Sequence, residues 1–458
     1  MKTEEEKQTS SFSSRIGLIM AAAGSAVGLG NIWKFPYIAG ENGGGAFLII
    51  YLICVLIFGL PLLMTEFLIG KQSGKSAFGA FRALRNNSRW QWLSWSCMVT
   101  AVIIMGFYFV VTGWCFHYVV AAVAHSFKGL DTGSFTEHFN SLVSNGGGMF
   151  AYAVLAVLLT AVVLWFDVNK GIERLSKILM PLLLVMMMLM AGRVLMLPDS
   201  NIGMKFFFQA DFSKITPEVV LAAMGQCFFS LSIGMGAIIT YGAYMPKRQN
   251  IMATSLQVVV LDTLVAVLAG LIIFPAVFAF GVDPAEGPEL VFVVLPAVFE
   301  QMSFSWFSSI LFFGLLCVAA VTSTISLMEV AVAFLTEATA TRKHPLNRHK
   351  SVLVVSAIVL VMVALNVLSL TDNGSWLCLH GDNFFDWSDT ISANILMPVN
   401  AFAMALFVGW FMNKTETRQE IGKKSNWQYR LGAVFLPLVR FLIPLAILAI
   451  FLNGLGIL

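Results

Sequence analysis

Long apolar runs separated by short polar segments make up almost the whole chain. A bilayer core requires about 20 apolar residues of a helix. Runs of that kind lie at about 16–39, 45–69, 94–124, 150–167, 178–196, 219–244, 252–279, 304–337, 351–370, 390–412 and 432–454. They predict eleven transmembrane helices, and the short tail beyond the last leaves no room for a twelfth. The polar stretches near 128–147 and 371–389 read as ordinary external loops.

Lysine and arginine in the connections set the orientation, because cytoplasmic loops carry the excess. Lys71, Lys75, Arg82, Arg85 and Arg89 follow run 2, Lys170, Arg174 and Lys177 follow run 4, and Lys247 and Arg248 follow run 6. Arg342, Lys343, Arg348 and Lys350 follow run 8; Lys414, Arg418, Lys423, Lys424 and Arg430 follow run 10. The alternate connections hold only Lys128, Lys205 and Lys214, with Arg193 near a run's end. The N-terminus is therefore expected in the cytoplasm and the C-terminus outside. Residues 1–15 are polar and mixed in charge, with no sign of a cleavable signal peptide.

Composition agrees with the pattern. A chain of 458 residues would ordinarily suggest two or three soluble domains, but here 58% of residues are hydrophobic and 12% charged. So much apolar surface excludes both a soluble protein and a disordered one. The net charge of +3 is too small to suggest a nucleic-acid partner. Six cysteines at scattered spacings indicate neither a disulfide framework nor a metal cage.

Two runs are interrupted by glycine. Run 1 holds Gly24, Gly28 and Gly30, followed by Asn31 and the Lys34-Phe35-Pro36 sequence; run 6 holds Ser230, Ser232, Gly234 and Gly236. Glycine is costly in a helix, and the backbone groups that an unwound stretch frees must face a protein cavity rather than lipid. Gly24-xxx-Gly28 taken alone reads equally well as a close helix-packing motif. Two such segments, each opening a five-run half, point instead to a transporter site at the midplane. Because five is odd, the second half is inverted relative to the first.

The residues carrying these breaks also carry a family likeness. Arg15 to Leu18, GSAVGLGNIWKFP at 24–36, ENGGGAF at 41–47, GQCFFSLSIGMGAIITY at 225–241 and TSTISLM at 322–328 resemble the neurotransmitter:sodium symporter family, and especially its bacterial amino-acid transporters. The likeness covers about residues 15 to 452. It implies an all-α polytopic membrane protein with a five-plus-five inverted-repeat fold, broken helices 1 and 6, and eleven transmembrane helices. After a cytoplasmic segment, 1–15, a single transporter domain, 16–458, would comprise repeat one at about 16–196, repeat two at about 217–412 and an extra helix at about 432–454. A bacterial inner membrane is the expected location, with the lipid bilayer and an amino acid as partners.

The resemblance further implies two sodium sites. The first joins Asn31, Ser230 and the Ala26 carbonyl, with Asp262 at a position that is commonly Asn in the family. An acid at mid-membrane is costly unless paired with a cation, and sodium prefers hard oxygen donors. A resident carboxylate also makes a neighbouring chloride superfluous, so transport is expected to be chloride-independent; proton uptake by Asp262 on the return step is left open. The second site takes the carbonyls of Gly24, Val27 and Ala319 with the hydroxyls of Thr322 and Ser323.

For the substrate, the same match places Ala26 and Gly30 near a carboxylate together with Tyr108, and the carbonyls of Ala26, Phe229 and Ser232 near an ammonium. Gly28 stands where carriers of biogenic amines hold an Asp, so the substrate must bring its own carboxylate. Ser25, Ile104, Phe229, Met235, Ser323 and Leu327 would line an uncharged pocket, suited to a neutral, hydrophobic or aromatic amino acid. Flexible Met235 stands where relatives often have Phe.

Outside, Lys34 and Asp389 are expected to close as an ion pair, with Asp386 the alternative, under a lid of Phe35, Phe229 and Tyr108. Inside, the family's N-terminal Arg and Trp fall on Thr9 and Phe12, and Glu337 replaces an Asp; the latch partners, Lys7 or Arg15 among them, stay open. Glu66 is expected to accept the amides freed at the break in run 6, and Glu329 to serve similarly. Arg440 reads only as a snorkelling side chain. Gly74-Lys75-Ser76 resembles the end of a phosphate loop, but Ile69 occupies its first glycine position and no strand precedes it. The expected activity is sodium-coupled import by alternating access. The rivals are a non-transporting amino-acid sensor of the same fold and a channel.

Overall fold

The computed structural model of the protein describes residues 11–85, 88–281, 290–378, 382–421 and 434–454. They are helical throughout, with no strand among the described residues. Nine helices are long and apolar enough to cross a bilayer: Gly45–Ser73, Gln91–Val123, Gly146–Trp165, Asn169–Leu195, Ile251–Ala279, Ser305–Thr339, Arg348–Ser369, Phe384–Phe411 and Val434–Leu452. A tenth crossing is a bent pair, Arg15–Ala26 and Gly30–Glu41, whose axes turn by 49°. Run 6 becomes two short helices, Pro217–Ser230 and Ala237–Ala243. Length and apolarity alone therefore give nine crossings, or ten with the bent pair, among the described residues. The difference from the eleven runs of the sequence is run 6.

Both interruptions have local causes. At the first, Val27 leaves the helix for an extended conformation, with φ −70° and ψ 110°. At the second, Ser232, Gly234 and Gly236 all take positive φ, at 55°, 90° and 81°. That conformation disfavours residues with a Cβ, so three such residues within five end the helix. Gly234 is doubly constrained, since a Cβ there would collide with the Met397 carbonyl.

The breaks are held at the centre by the two most enclosed long helices. Gln91–Val123 and Ser305–Thr339 are 78% and 72% buried over their apolar windows, against 33% for Gly146–Trp165 and Asn169–Leu195, which therefore form the periphery. One feature has no counterpart among the eleven runs. The apolar segment Leu290–Glu300 is too short to span, and Leu290 to Phe299 are nonetheless buried.

Candidate functional site

The first break faces the second across the middle of the bundle, and three side-chain bonds join them. Asn31 Nδ2 donates to Ser230 Oγ at 2.8 Å, Gln226 Nε2 donates to the Gly30 carbonyl at 2.8 Å, and Ser232 Oγ donates to the Ser25 carbonyl at 2.7 Å. Asp262 reaches the same point from Ile251–Ala279. Its Oδ1 accepts from Asn31 Nδ2 at 2.8 Å, and its Oδ2 lies 2.9 Å from Ser230 Oγ and 3.5 Å from the Tyr51 hydroxyl. Asn31, Ser230 and Asp262 are fully buried. No lysine or arginine pairs with Asp262 among the described residues, so its charge meets only neutral donors.

The second group of expected sodium ligands also converges. Ser323 Oγ lies 3.2 Å from the Val27 carbonyl and 3.4 Å from that of Gly24. Thr322 Oγ1 donates to the Ala319 carbonyl at 2.9 Å, which is bonding within its own turn. Gly24 packs against Thr322, whose Cβ would lie 3.2 Å from an added methyl. Two carbonyls from the break and two hydroxyls from Ser305–Thr339 are thus adjacent, all oxygen donors of the kind that suits a small hard cation.

Beside these groups is a small cavity of about 30 Å3, room for water but not for a large side chain without rearrangement. It is lined by the ten residues expected at the substrate site, Ser25, Ala26, Gly30, Ile104, Tyr108, Phe229, Ser232, Met235, Ser323 and Leu327, together with Gly28. None is charged. The Leu29 N–H donates to the Tyr108 hydroxyl at 3.1 Å, which brings the tyrosine to the broken helix. A Cβ on Gly28 would meet Ser323 Oγ and lie 2.7 Å from the Tyr108 oxygen; one on Gly30 would lie 2.9 Å from the Phe229 ring. A side chain at either position would have to displace one of these groups from the cavity wall.

Above Phe229, Lys34 Nζ sits 4.4 Å from the ring centroid and 3.6 Å from an Asp389 carboxylate oxygen. Asp386 is engaged elsewhere, its Oδ2 accepting from Asn383 at 2.7 Å. Phe35 departs from the expected lid. It is fully buried against Tyr51, Phe47 and Phe207, with ring centroids at 5.0, 5.9 and 6.3 Å, and does not line the cavity.

The buried carboxylates divide. Glu66 Oε1 accepts the Gly234 N–H at 2.7 Å, at the unwound stretch. Glu329 does not behave in the same way, which corrects the expectation. Arg348 forms a two-pronged pair with it at 2.9 and 2.8 Å, and the Tyr244 hydroxyl donates to it at 2.8 Å. Arg348, which the charge pattern places in a loop, thus reaches into the bundle. Arg440 likewise has a definite partner, its guanidinium stacking 3.8 Å over the Trp410 ring.

At the end of the molecule that holds the N-terminus, Lys7 and Thr9 lie outside the described residues. Arg15 reaches Gln257 at 3.1 Å rather than an acid. Glu173 is the acceptor instead, taking bonds from the Ser13 amide and hydroxyl at 2.7 Å, from Ser14 at 2.8 Å and from Lys177 at 2.6 Å. Phe12 is buried beside Tyr241 and Tyr244, and Glu337 accepts from the Ser76 amide at 3.0 Å. Tyr51, Gln226, Asn400, Glu173 and Arg348 are the residues of the site and its supports that sequence reasoning misses. Gln226 was accessible, standing one helical turn before Ser230 and so on the same face. Asn400, which donates to the Gly234 carbonyl at 2.8 Å, was visible as a polar residue inside an apolar run.

Comparison with known proteins then decides the relationship. The family model described as "Sodium:neurotransmitter symporter family" matches residues 9–130 and 134–456. The chain belongs to that family. Within it, a Bacillus subtilis protein described as an uncharacterized sodium-dependent transporter is 38% identical over 99% of each chain. A Haemophilus influenzae sodium-dependent transporter is 35% identical over 99% of this chain and 100% of its own. The crystal structure of MhsT in complex with L-phenylalanine superposes with a TM-score of 0.87 at 36% identity, covering 97% of this chain and 99% of that one. The protein is a sodium-dependent membrane transporter of this family, with its fold.

Proposed function

We propose that the protein imports a neutral amino acid with a hydrophobic or aromatic side chain, coupled to sodium, by alternating access. The observation that carries this reading is Gly28, whose contact with Tyr108 and Ser323 leaves no space for a side-chain acid in an uncharged cavity. A substrate there meets no fixed carboxylate for an amine, whereas the amides at the break and the Tyr108 hydroxyl suit a carboxylate. MhsT, whose structure contains L-phenylalanine, supports the same substrate class.

In this reading one sodium ion binds among Asn31, Ser230, Asp262 and the Ala26 carbonyl, and a second among the Gly24, Val27 and Ala319 carbonyls, Thr322 and Ser323. The Asn31 amide donates toward Asp262 and Ser230, so the first ion requires that amide to turn its oxygen inward. Asp262 supplies the negative charge, and transport needs no chloride. Lys34 and Asp389 close the outer side; Glu173 with Ser13 and Ser14 holds the inner side. Run 6 counts as one crossing, giving eleven, with the N-terminus cytoplasmic in a bacterial plasma membrane.

The test is uptake of labelled phenylalanine into proteoliposomes under an inward sodium gradient, with chloride or gluconate as anion. Sodium-driven accumulation, equal in both anions, is expected. Saturable binding without accumulation would favour a sensor, and current without accumulation a channel.

A further inference from the structure

At the end of the molecule that the charge pattern makes extracytoplasmic, a second cavity lies apart from the two breaks. It measures about 640 Å3, within the range of sites that hold small molecules. Its walls include His125 and Lys128 just beyond Gln91–Val123, Arg193 near the end of Asn169–Leu195, and Glu300, Phe304 and Trp306 where Leu290–Glu300 passes into Ser305–Thr339. Two of these, His125 and Phe304, hold left-handed backbone conformations with φ of 57° and 58°. Such conformations are uncommon for residues other than glycine, and here they turn the chain at both sides of the cavity.

The charge on the walls is unbalanced. Arg193 donates to the Ser303 carbonyl and to Ser308 Oγ, the latter at 3.3 Å, while its Nε is buried with no partner. Neither Arg193 nor Lys128 is within ion-pairing distance of a carboxylate among the described residues. The acid on the wall, Glu300, accepts the Gly129 N–H at 2.9 Å. Phe304 is 80% exposed and Trp306 45%, at the level where aromatic side chains anchor membrane proteins in the headgroup region. Two cations behind an aromatic rim match an anion carried on an amphiphile.

We propose that this cavity binds the phosphate headgroup of an anionic phospholipid from the adjoining leaflet. Lys128 and Arg193 face the phosphate, while Trp306 and Phe304 cover the glycerol and the first acyl carbons. The test is binding of dioctanoyl phosphatidylglycerol and dioctanoyl phosphatidylcholine to the full chain in detergent, followed by thermophoresis, with inorganic phosphate as competitor. Phosphatidylglycerol is expected to bind about tenfold tighter, because the choline trimethylammonium opposes the two cations, and Lys128→Gln and Arg193→Gln each to weaken it about tenfold and so narrow its margin over phosphatidylcholine. Arg193 also holds the Ser303 carbonyl, so Lys128→Gln, on an exposed turn, carries the test if the arginine variant fails to fold. Equal binding of the two lipids, or indifference to Lys128→Gln, overturns the proposal. Displacement of the lipid by inorganic phosphate alone also overturns it, making the occupant a soluble anion.

Discussion

Asn31 and Asp262 meet at 2.8 Å, with the amide donating to the carboxylate at the point where the two broken helices touch. If Asp262 supplies the charge that lets sodium bind without chloride, removing it should transfer that task to an external anion. Asp262→Ser is expected to transport in chloride and to lose most uptake in gluconate, while the wild type works in both. An active variant that ignores chloride would count against the charge-balance reading.

Gly28 lies against Tyr108 and Ser323 with no space for even a methyl group. Overpacking costs about 1–3 kcal/mol; met only when the cavity closes on substrate, that is about five- to 150-fold in affinity. Gly28→Ala should therefore weaken phenylalanine binding by that factor, read by scintillation proximity, while the melting temperature in detergent stays within a few degrees. Unchanged affinity would mean that substrate does not occupy this cavity.

Lys34 is shared between Asp389 and the Phe229 ring. Both groups of the ion pair are partly exposed, so its contribution is small, and the ring adds about 0.5–1 kcal/mol. Lys34→Gln is expected to speed release of bound substrate about fivefold in a dilution assay. Lys34→Arg should keep the slow rate, because a planar guanidinium can engage the carboxylate and ring together. Equal release from all three proteins would remove Lys34 from the gate.

The Glu329–Arg348 pair predicts a stability pattern rather than a transport one. Deleting one partner of such a buried pair leaves a charge without compensation and costs about 3 kcal/mol. Glu329→Leu and Arg348→Met should each lower the melting temperature, and the double variant should recover at least part of the loss. Single variants as stable as the wild type would show that the pair contributes nothing to the fold.

The pH of the medium should act on the short helix Thr132–Ser144. Burial lowers the pKa of His138, whose Nε2 lies 3.2 Å from that of His117. The folded helix therefore prefers neutral His138 and binds fewer protons than the undocked one. Its docking is fully present above the ordinary imidazole pKa of about 6.5 and weakens as pH falls below it. Hydrogen-exchange protection of this helix, after allowance for the intrinsic pH dependence of amide exchange, should fall from pH 7.5 to pH 5 in the wild type, and His138→Phe should flatten that response.

Much of this architecture was legible because a membrane imposes simple rules on sequence. Apolar runs had to be crossings, and glycine clusters within them had to face protein. The residues of the cavity came from the same two breaks and from the likeness that the breaks carry. Contacts made at a distance in sequence were harder to read. Glu329 looked like another acceptor for free amides, because nothing in its own helix announces Arg348, which starts the next one. Phe35 sits beside gate residues in sequence, yet its side chain turns into the Tyr51 and Phe47 cluster. Leu290–Glu300 is apolar but too short to cross, so the length rule had no place for it.

The three bonds from Asn31, Gln226 and Ser232 tie the interruption in the first crossing to that in the second, on both sides of the cavity. The interruptions are consequently two leaves of one joint. Each leaf is also bonded to the helices around it, through Tyr108 and Asp262 on one side and Glu66 and Asn400 on the other. A displacement of Asn31 is thus coupled to Ser230 across the joint, and a lesion at Gln226 should register at the far leaf as well as at its own.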